Sequence, residues 1–263
     1  VDFDNFGPTF LWQIEGGNAD NGGFDANAPW TWSNNGQFGA RDTYLGLEFD
    51  GVGSLKFGRQ LVAAYNYVDW PHSNPGLGNV FDWNNDIGAG YEDRADNVIR
   101  FDSASFGGFN FQATVSNMAS NAKAAAYSVG SSYGTSKFNV HAGYYTKSTY
   151  TGTDGVEVLG NAYTVVGGAL YLGNLTLSSA AKYMTQETAA GDDSQWAYSA
   201  TAQYVVDSTW VYKVGYASTT EADIAGTGEK AGSDDLALTA RLGYLLPSAY
   251  LYTDVRYYDM NNG

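Results

Sequence analysis

An alternation of period two recurs along most of this chain and limits what it can fold into. In FGGFNFQATVSN, Phe109, Phe111, Ala113 and Val115 alternate with Asn110, Gln112, Thr114 and Ser116. In SKFNVHAGYYTK, Phe138, Val140, Ala142 and Tyr144 alternate with Asn139, His141, Gly143 and Tyr145. NLTLSSAAKYMTQ, QWAYSATAQYVV, STWVYKVGYAS and DLALTARLGYLL repeat the scheme. Successive side chains of a strand point to opposite faces, so each stretch reads as a strand with one apolar and one polar face. The stretches run for roughly ten residues or more, about twice the usual globular strand. No stretch shows a convincing amphipathic helix.

The connections sharpen the reading. Short ones, as in YLGNLTL and LLPSAYL, alternate with longer ones rich in Gly, Asp, Asn and Thr, such as Asn18–Gln37, Thr146–Glu157 and Ala217–Ser233. One smooth end and one loopy end are expected of an all-β transmembrane antiparallel β-barrel. Aromatics make up 16% of the residues, with 21 Tyr, and such a barrel uses them as girdles at both membrane interfaces. The polar alternate face would line a wet lumen. The alternative is a soluble carbohydrate-binding β protein, whose Tyr and Trp would be ordinary core. About fourteen strand segments can be drawn, including a stub at Val1–Phe3. Even strand numbers then imply about sixteen strands when intact, with the first strand or strands and the closing strand missing here. Open edges in lipid are not tenable, so the functional protein is expected to be longer. Residues 1–263 are expected to form one barrel domain.

Composition excludes several functions. With no Cys there is no thiolate chemistry and no Cys-based zinc site. A net charge of −15 repels phosphate backbones, so no nucleic-acid partner is expected. There is no visible signal peptide or long apolar helix. No nucleophile motif, P-loop or dinucleotide fingerprint appears, so neither an enzyme nor a cofactor is expected. The acidic stretches GDD at 191–193 and SDD at 233–235 read as solvated turns rather than cation sites. The two His, His72 and His141, read as polar fillers.

Three stretches carry a resemblance. GPTFLWQIEGG, ARDTYLGLEFDGVGSLKFGRQ and DNVIRFDSASFGGFNFQATVS resemble, in order and spacing, segments of the general bacterial porins. That resemblance implies a trimeric, sixteen-stranded channel of the Gram-negative outer membrane, in contact with lipid and lipopolysaccharide. It also implies that residues 61–96, between FGRQ and DNVIRFDS, fold into the lumen and constrict the pore. Within that segment lies VDWPHSNPGLGNVFDW, with Asp69-Trp70 and Asp82-Trp83 in a stretch that lacks strand or helix period. With Arg41 on the facing wall, this looks like the chitoporins of marine bacteria, which implies chitooligosaccharides as the solute.

The chemistry of such a path is specific. Axial C–H groups give a pyranose an apolar face that stacks on an aromatic ring, while its hydroxyl and N-acetyl groups need replacements for water. Trp70 and Trp83 are the stacking candidates, with Trp30 and Trp32 at the mouth. Asp69, Asp82, Glu92 and Asp93 are candidate acceptors, and Arg41, Arg59 and Arg94 candidate donors. The plainer reading makes the loop tryptophans braces and the charges a transverse field, in a general diffusion porin that prefers cations. For Arg41 two arguments conflict: parity groups it with Thr43, Leu45 and Leu47 on an apolar face, whereas the resemblance puts it in the lumen. Gln13, Glu15, Lys182, Lys213, Arg241 and Arg256 are expected to face the lumen without a specific role.

Overall fold

The computed structural model describes residues 7–16, 39, 41–118, 122–152 and 154–260. The expected stub at Val1–Phe3 lies outside the described residues, as do Trp30 and Trp32. Seven strands form the first part: β1 (Thr9–Ile14), β2 (Thr43–Phe49), β3 (Gly53–Leu61), β4 (Arg94–Ser103), β5 (Phe109–Ser116), β6 (Ala126–Gly134) and β7 (Phe138–Lys147). A small hairpin of β8 (Tyr150–Thr151) and β9 (Glu157–Val158) follows. The wall then continues through β10 (Asn161–Leu172), β11 (Leu175–Thr188), β12 (Gly191–Val206) and β13 (Trp210–Thr219). A second hairpin, β14 (Ala222–Ile224) and β15 (Gly228–Lys230), precedes β16 (Asp235–Leu246) and β17 (Ala249–Met260).

Thirteen of these strands form one antiparallel meander in chain order, each paired with its predecessor. The second hairpin is joined to it through Ser194 and Asp223. One end is smooth: its turns span between two and five residues. Gly173 takes φ +66 in the two-residue turn between β10 and β11, where a side chain would be strained. The other end carries the long connections, with one exception. β11 and β12 reach so far that only Ala189 and Ala190 join them. Among the described residues no helix is long and apolar enough to cross a membrane, so any crossing is made by strands.

The two faces of the sheet are inverted relative to a soluble protein. Phe109, Phe111, Val140, Tyr144, Trp196, Tyr198, Tyr212, Val214 and Leu238 are exposed. Their alternates Thr114, Ser116, His141, Gln195, Ser199 and Thr239 are buried. In water this would leave a large apolar surface uncovered, whereas in a bilayer it is the lipid-facing band.

The polar face is buried because the connection between β3 and β4, residues 62–93, packs against it. A 3-10 turn (Ala63–Tyr67) touches β5, β6, β7 and β10. Helix α1 (Asp69–Ser73) touches β11 and β12, and helix α2 (Gly78–Phe81) touches β12, β13 and β16. Val62, Leu77, Val80 and Phe81 are fully buried there. These helices have five and four residues, too few to show a period in sequence. A track of wall glycines makes room for the segment. A Cβ on Gly143 would come within 2.9 Å of the Ala64 backbone, one on Gly130 would run into the Tyr67 ring, and one on Gly215 would come within 3.0 Å of Leu77. Glycine inside a strand weakens it, and here it permits close approach.

Candidate functional site

The inner segment is held by its own backbone as much as by its side chains. Its first amides donate to wall hydroxyls, Ala63 N to Thr114 Oγ1 at 3.1 Å and Ala64 N to Ser128 Oγ at 2.8 Å. Val62 N donates to the Asp93 carbonyl at 3.0 Å, which closes the base of the segment. Further along, Arg241 donates to Asn74 Oδ1 at 3.1 Å and the Tyr258 hydroxyl donates to the Gly76 carbonyl at 2.7 Å. Asp86 N donates to Gln195 Oε1 at 2.8 Å, and Asn84 donates to Asp235. The anchors therefore come from strands as far apart as β5 and β17.

Asp82 and Trp83 are adjacent and treated oppositely. Asp82 is buried: Oδ2 accepts from the Tyr65 hydroxyl at 2.8 Å, and its carbonyl accepts from Lys182 Nζ at 2.8 Å. Lys182 is only 2% exposed, and its ammonium also lies 5.5 Å from the centre of the Phe81 ring. Burial pushes the Asp82 carboxyl up to about 7, against the pull of Lys182. Asp93, at the base, is pushed up to about 6 by burial. Trp83, by contrast, is 64% exposed, although Val80, Phe81 and Asp82 before it are sealed.

The remaining candidates fall into pairs. Arg41 donates to Glu15 Oε1 at 2.5 Å, and Arg94 donates to Asp42 Oδ1 at 2.6 Å. The Glu15 carboxylate beside it raises Arg41, and burial opposes that rise. Arg41 precedes the first residue of β2, so strand parity does not govern it, and it joins Glu15 on the face of Gln13 and Tyr44. Arg59 pairs with Asp96 at 2.9 Å. Glu92 accepts from Ser116 at 3.0 Å and from Asn117, with Lys147 at 4.0 Å. Asp69 Oδ1 accepts from Ser73 at 3.2 Å within α1, whose backbone includes Trp70. The candidates thus lie along the segment and on β1–β4, but Asp82, Asp93 and Glu92 are turned toward wall and loop partners. Lys182 was legible only as a general lumen charge. Its partner lies 100 residues away, and an isolated Lys on a polar face opposite an irregular segment is the one signal that could have found it. Among the described residues no three His, Cys, Asp or Glu gather to hold a metal ion.

An antiparallel meander with an apolar outer band, a polar inner face and a long loop packed on that face defines an outer-membrane barrel protein. The chain matches the Gram-negative porin family over residues 2–263 and belongs to it. It is therefore a protein of the Gram-negative outer membrane, from a family of channels rather than enzymes. It is 46% identical over 113 residues to the chitoporin of Vibrio furnissii, a match covering 43% of this chain and 28% of that protein. The matched stretch is thus well under two thirds of the relative's length. Among solved structures, the anion-selective porin of Comamonas acidovorans aligns at a TM-score of 0.68 with 19% identity, over 86% of this chain and 69% of that one. The trimer form of OmpT of Vibrio cholerae aligns at 0.62 with 18% identity, over 86% of this chain and 72% of that one. At these identities the structural matches speak for the fold alone.

Proposed function

We propose that this protein is an outer-membrane channel for facilitated diffusion of chitooligosaccharides, with residues 61–96 as the constricting loop. The observation that carries the reading is Trp83: its indole is exposed directly after Val80, Phe81 and Asp82, which are buried against the wall. An apolar ring held open on a fixed backbone suits stacking of a pyranose, and its cost of immobilisation is already met by the fold. The partial likeness to a chitoporin supports the same solute. Arg41, Arg94 and Arg59 supply donors, and Glu15, Asp42 and Asp69 acceptors, on the same path. Asp82, Glu92 and Asp93 act here by bracing the loop. Trp70, whose side chain lies outside the described residues, is taken as a second stacking residue.

The assembly is a homotrimer. The outer faces of β1–β4 carry exposed Trp12, Leu45, Leu55, Phe57 and Ile99 on some of the shortest strands of the wall, β1 and β2 having six and seven residues. A short apolar wall suits contact with another copy, and the longer strands suit lipid and lipopolysaccharide. One observation favours a second reading. The inner charges at Arg41, Arg94 and Arg59 are already paired with carboxylates, as in a general diffusion pore that needs only a transverse field. Planar-bilayer recordings with the full protein separate the two. Concentration-dependent blockades by chitohexaose but not maltohexaose are expected, whereas current indifferent to both sugars leaves a general porin.

A further inference from the structure

His72 on α1 and His141 on β7 meet with their Nε2 atoms 2.8 Å apart and both rings buried. They are the only histidines of the chain. The hydrogen bonds leave room for one proton between the two Nε2 atoms. Asn139 uses its Nδ2 to donate to Ser132 at 3.0 Å, so its Oδ1 is free to accept from His141 Nδ1 at 2.9 Å. His141 then carries its proton on Nδ1, and its Nε2 accepts. His72 must donate from Nε2, which leaves its Nδ1 bare, and that atom is buried without a partner. Neither ring has room for a second proton. A proton on His141 Nε2 would point at the N–H of His72, and one on His72 Nδ1 would be a buried cation with no acceptor.

We propose that this pair is an acid-sensitive latch that holds α1, and with it the inner segment, against β7. Acid acts by turning the one attractive Nε2···Nε2 contact into a repulsive one.

The surroundings offer no relief. His141 is stacked under the Tyr67 ring at 5.0 Å, and His72 meets the edge of Phe81 at 6.0 Å. From β10, a Cβ on Gly167 would fall 2.6 Å from His72 Nε2, so the wall closes on the pair. From β12, Ser199 donates to the His72 carbonyl at 2.6 Å. Of the charged groups on the packed elements, Lys213 on β13 acts on His72, whereas Lys182 on β11 and Asp69 on α1 are engaged elsewhere. Lys182 is committed to the Asp82 carbonyl, and Asp69 accepts from Ser73. Burial, then His141 and Lys213, hold His72 down to about 3, below its ordinary 6.5. A depressed imidazole favours the docked state above about pH 6.5, and that preference is lost as pH falls. Each pH unit below that favours release by up to about tenfold per imidazole. Asp82 and Asp93 on the same segment run the opposite way, so the latch must be read as a histidine-dependent difference.

The test uses full-length protein with 15N-labelled histidine in detergent micelles, where two residues give two readable rings. Amide exchange of residues 62–93 is followed in parallel, corrected for the intrinsic pH dependence of exchange. At pH 7 one ring should be the Nδ1–H tautomer and the other Nε2–H. On acidification both should protonate together with a rise in exchange across the segment. In His72→Phe and in His141→Gln, each of which leaves one buried imidazole, the pH slope of that rise should fall to that of one proton, and in the double variant the acid-induced rise should vanish. Two rings that titrate independently near pH 6.5 while the segment stays protected would overturn the latch. So would an acid response of the segment unchanged in His72→Phe. Neither readout depends on which solute crosses the channel.

Discussion

Residues 62–82 and residues 83–86 belong to one inner segment yet face different environments. The first stretch carries the buried anchors: Val62, Leu77, Val80 and Phe81 are fully buried, Ala64, Tyr67 and Leu77 lie on the glycine track, and Lys182 caps the carbonyl of Asp82. The second is open, with Trp83 exposed and Asn84, Asn85 and Asp86 only half-buried. The anchored stretch carries the stability, and the open one inherits a fixed position from it. That division lets an aromatic ring be presented to a passing solute without being free to collapse onto the wall.

The largest effect should come from emptying the anchor: Phe81→Ala leaves a cavity and should lower the free energy of local opening of residues 62–93 by about 3–5 kcal/mol, read by amide exchange. Lys182→Met takes the ammonium from the Asp82 carbonyl and leaves that buried oxygen unpaired, at about 1–3 kcal/mol. Gly143→Val should cost about 1–3 kcal/mol, because a Cβ there meets the Ala64 backbone. If these changes loosen Trp83 no more than an outer-face substitution does, the two stretches are not coupled. A smaller effect is pH-dependent. The docked Asp82 and Asp93 sit at about 7 and about 6, above their ordinary 3.8. Docked carboxyls that hold protons more tightly stabilise the segment most below about pH 4, and that contribution is lost as pH rises through 6 to 7. Asp82→Asn should flatten this dependence between about pH 4 and 7. The smallest effect on stability should be that of Trp83→Ala, within about 0.5 kcal/mol.

The wall was legible because a two-residue period survives in any strand whose faces meet different media. Phe109, Phe111, Val140 and Tyr144 announce it without help from tertiary structure. The polar partners of those residues were read correctly as one face, but not as a buried one, since what covers them is an irregular segment with no period. The four- and five-residue helices of that segment left no pattern to find. Arg41 misled strand parity because it lies ahead of the strand proper, where alternation does not apply. Gly130, Gly143 and Gly215 were visible as strand glycines, yet their meaning depends on Tyr67, Ala64 and Leu77, which are remote in sequence. For the same reason His72 and His141 read as fillers. A pairing across 69 positions cannot be seen from either residue alone.

The most direct test is single-channel current through the full protein and through Trp83→Ala, with chitohexaose added to one side. Equal open conductance in the two, with blockades in the parent that shorten at least tenfold in the variant, is the predicted result; tenfold corresponds to about 1.4 kcal/mol of stacking. Blockades of equal duration in both, with the segment intact, would contradict the assignment of Trp83 as the sugar platform.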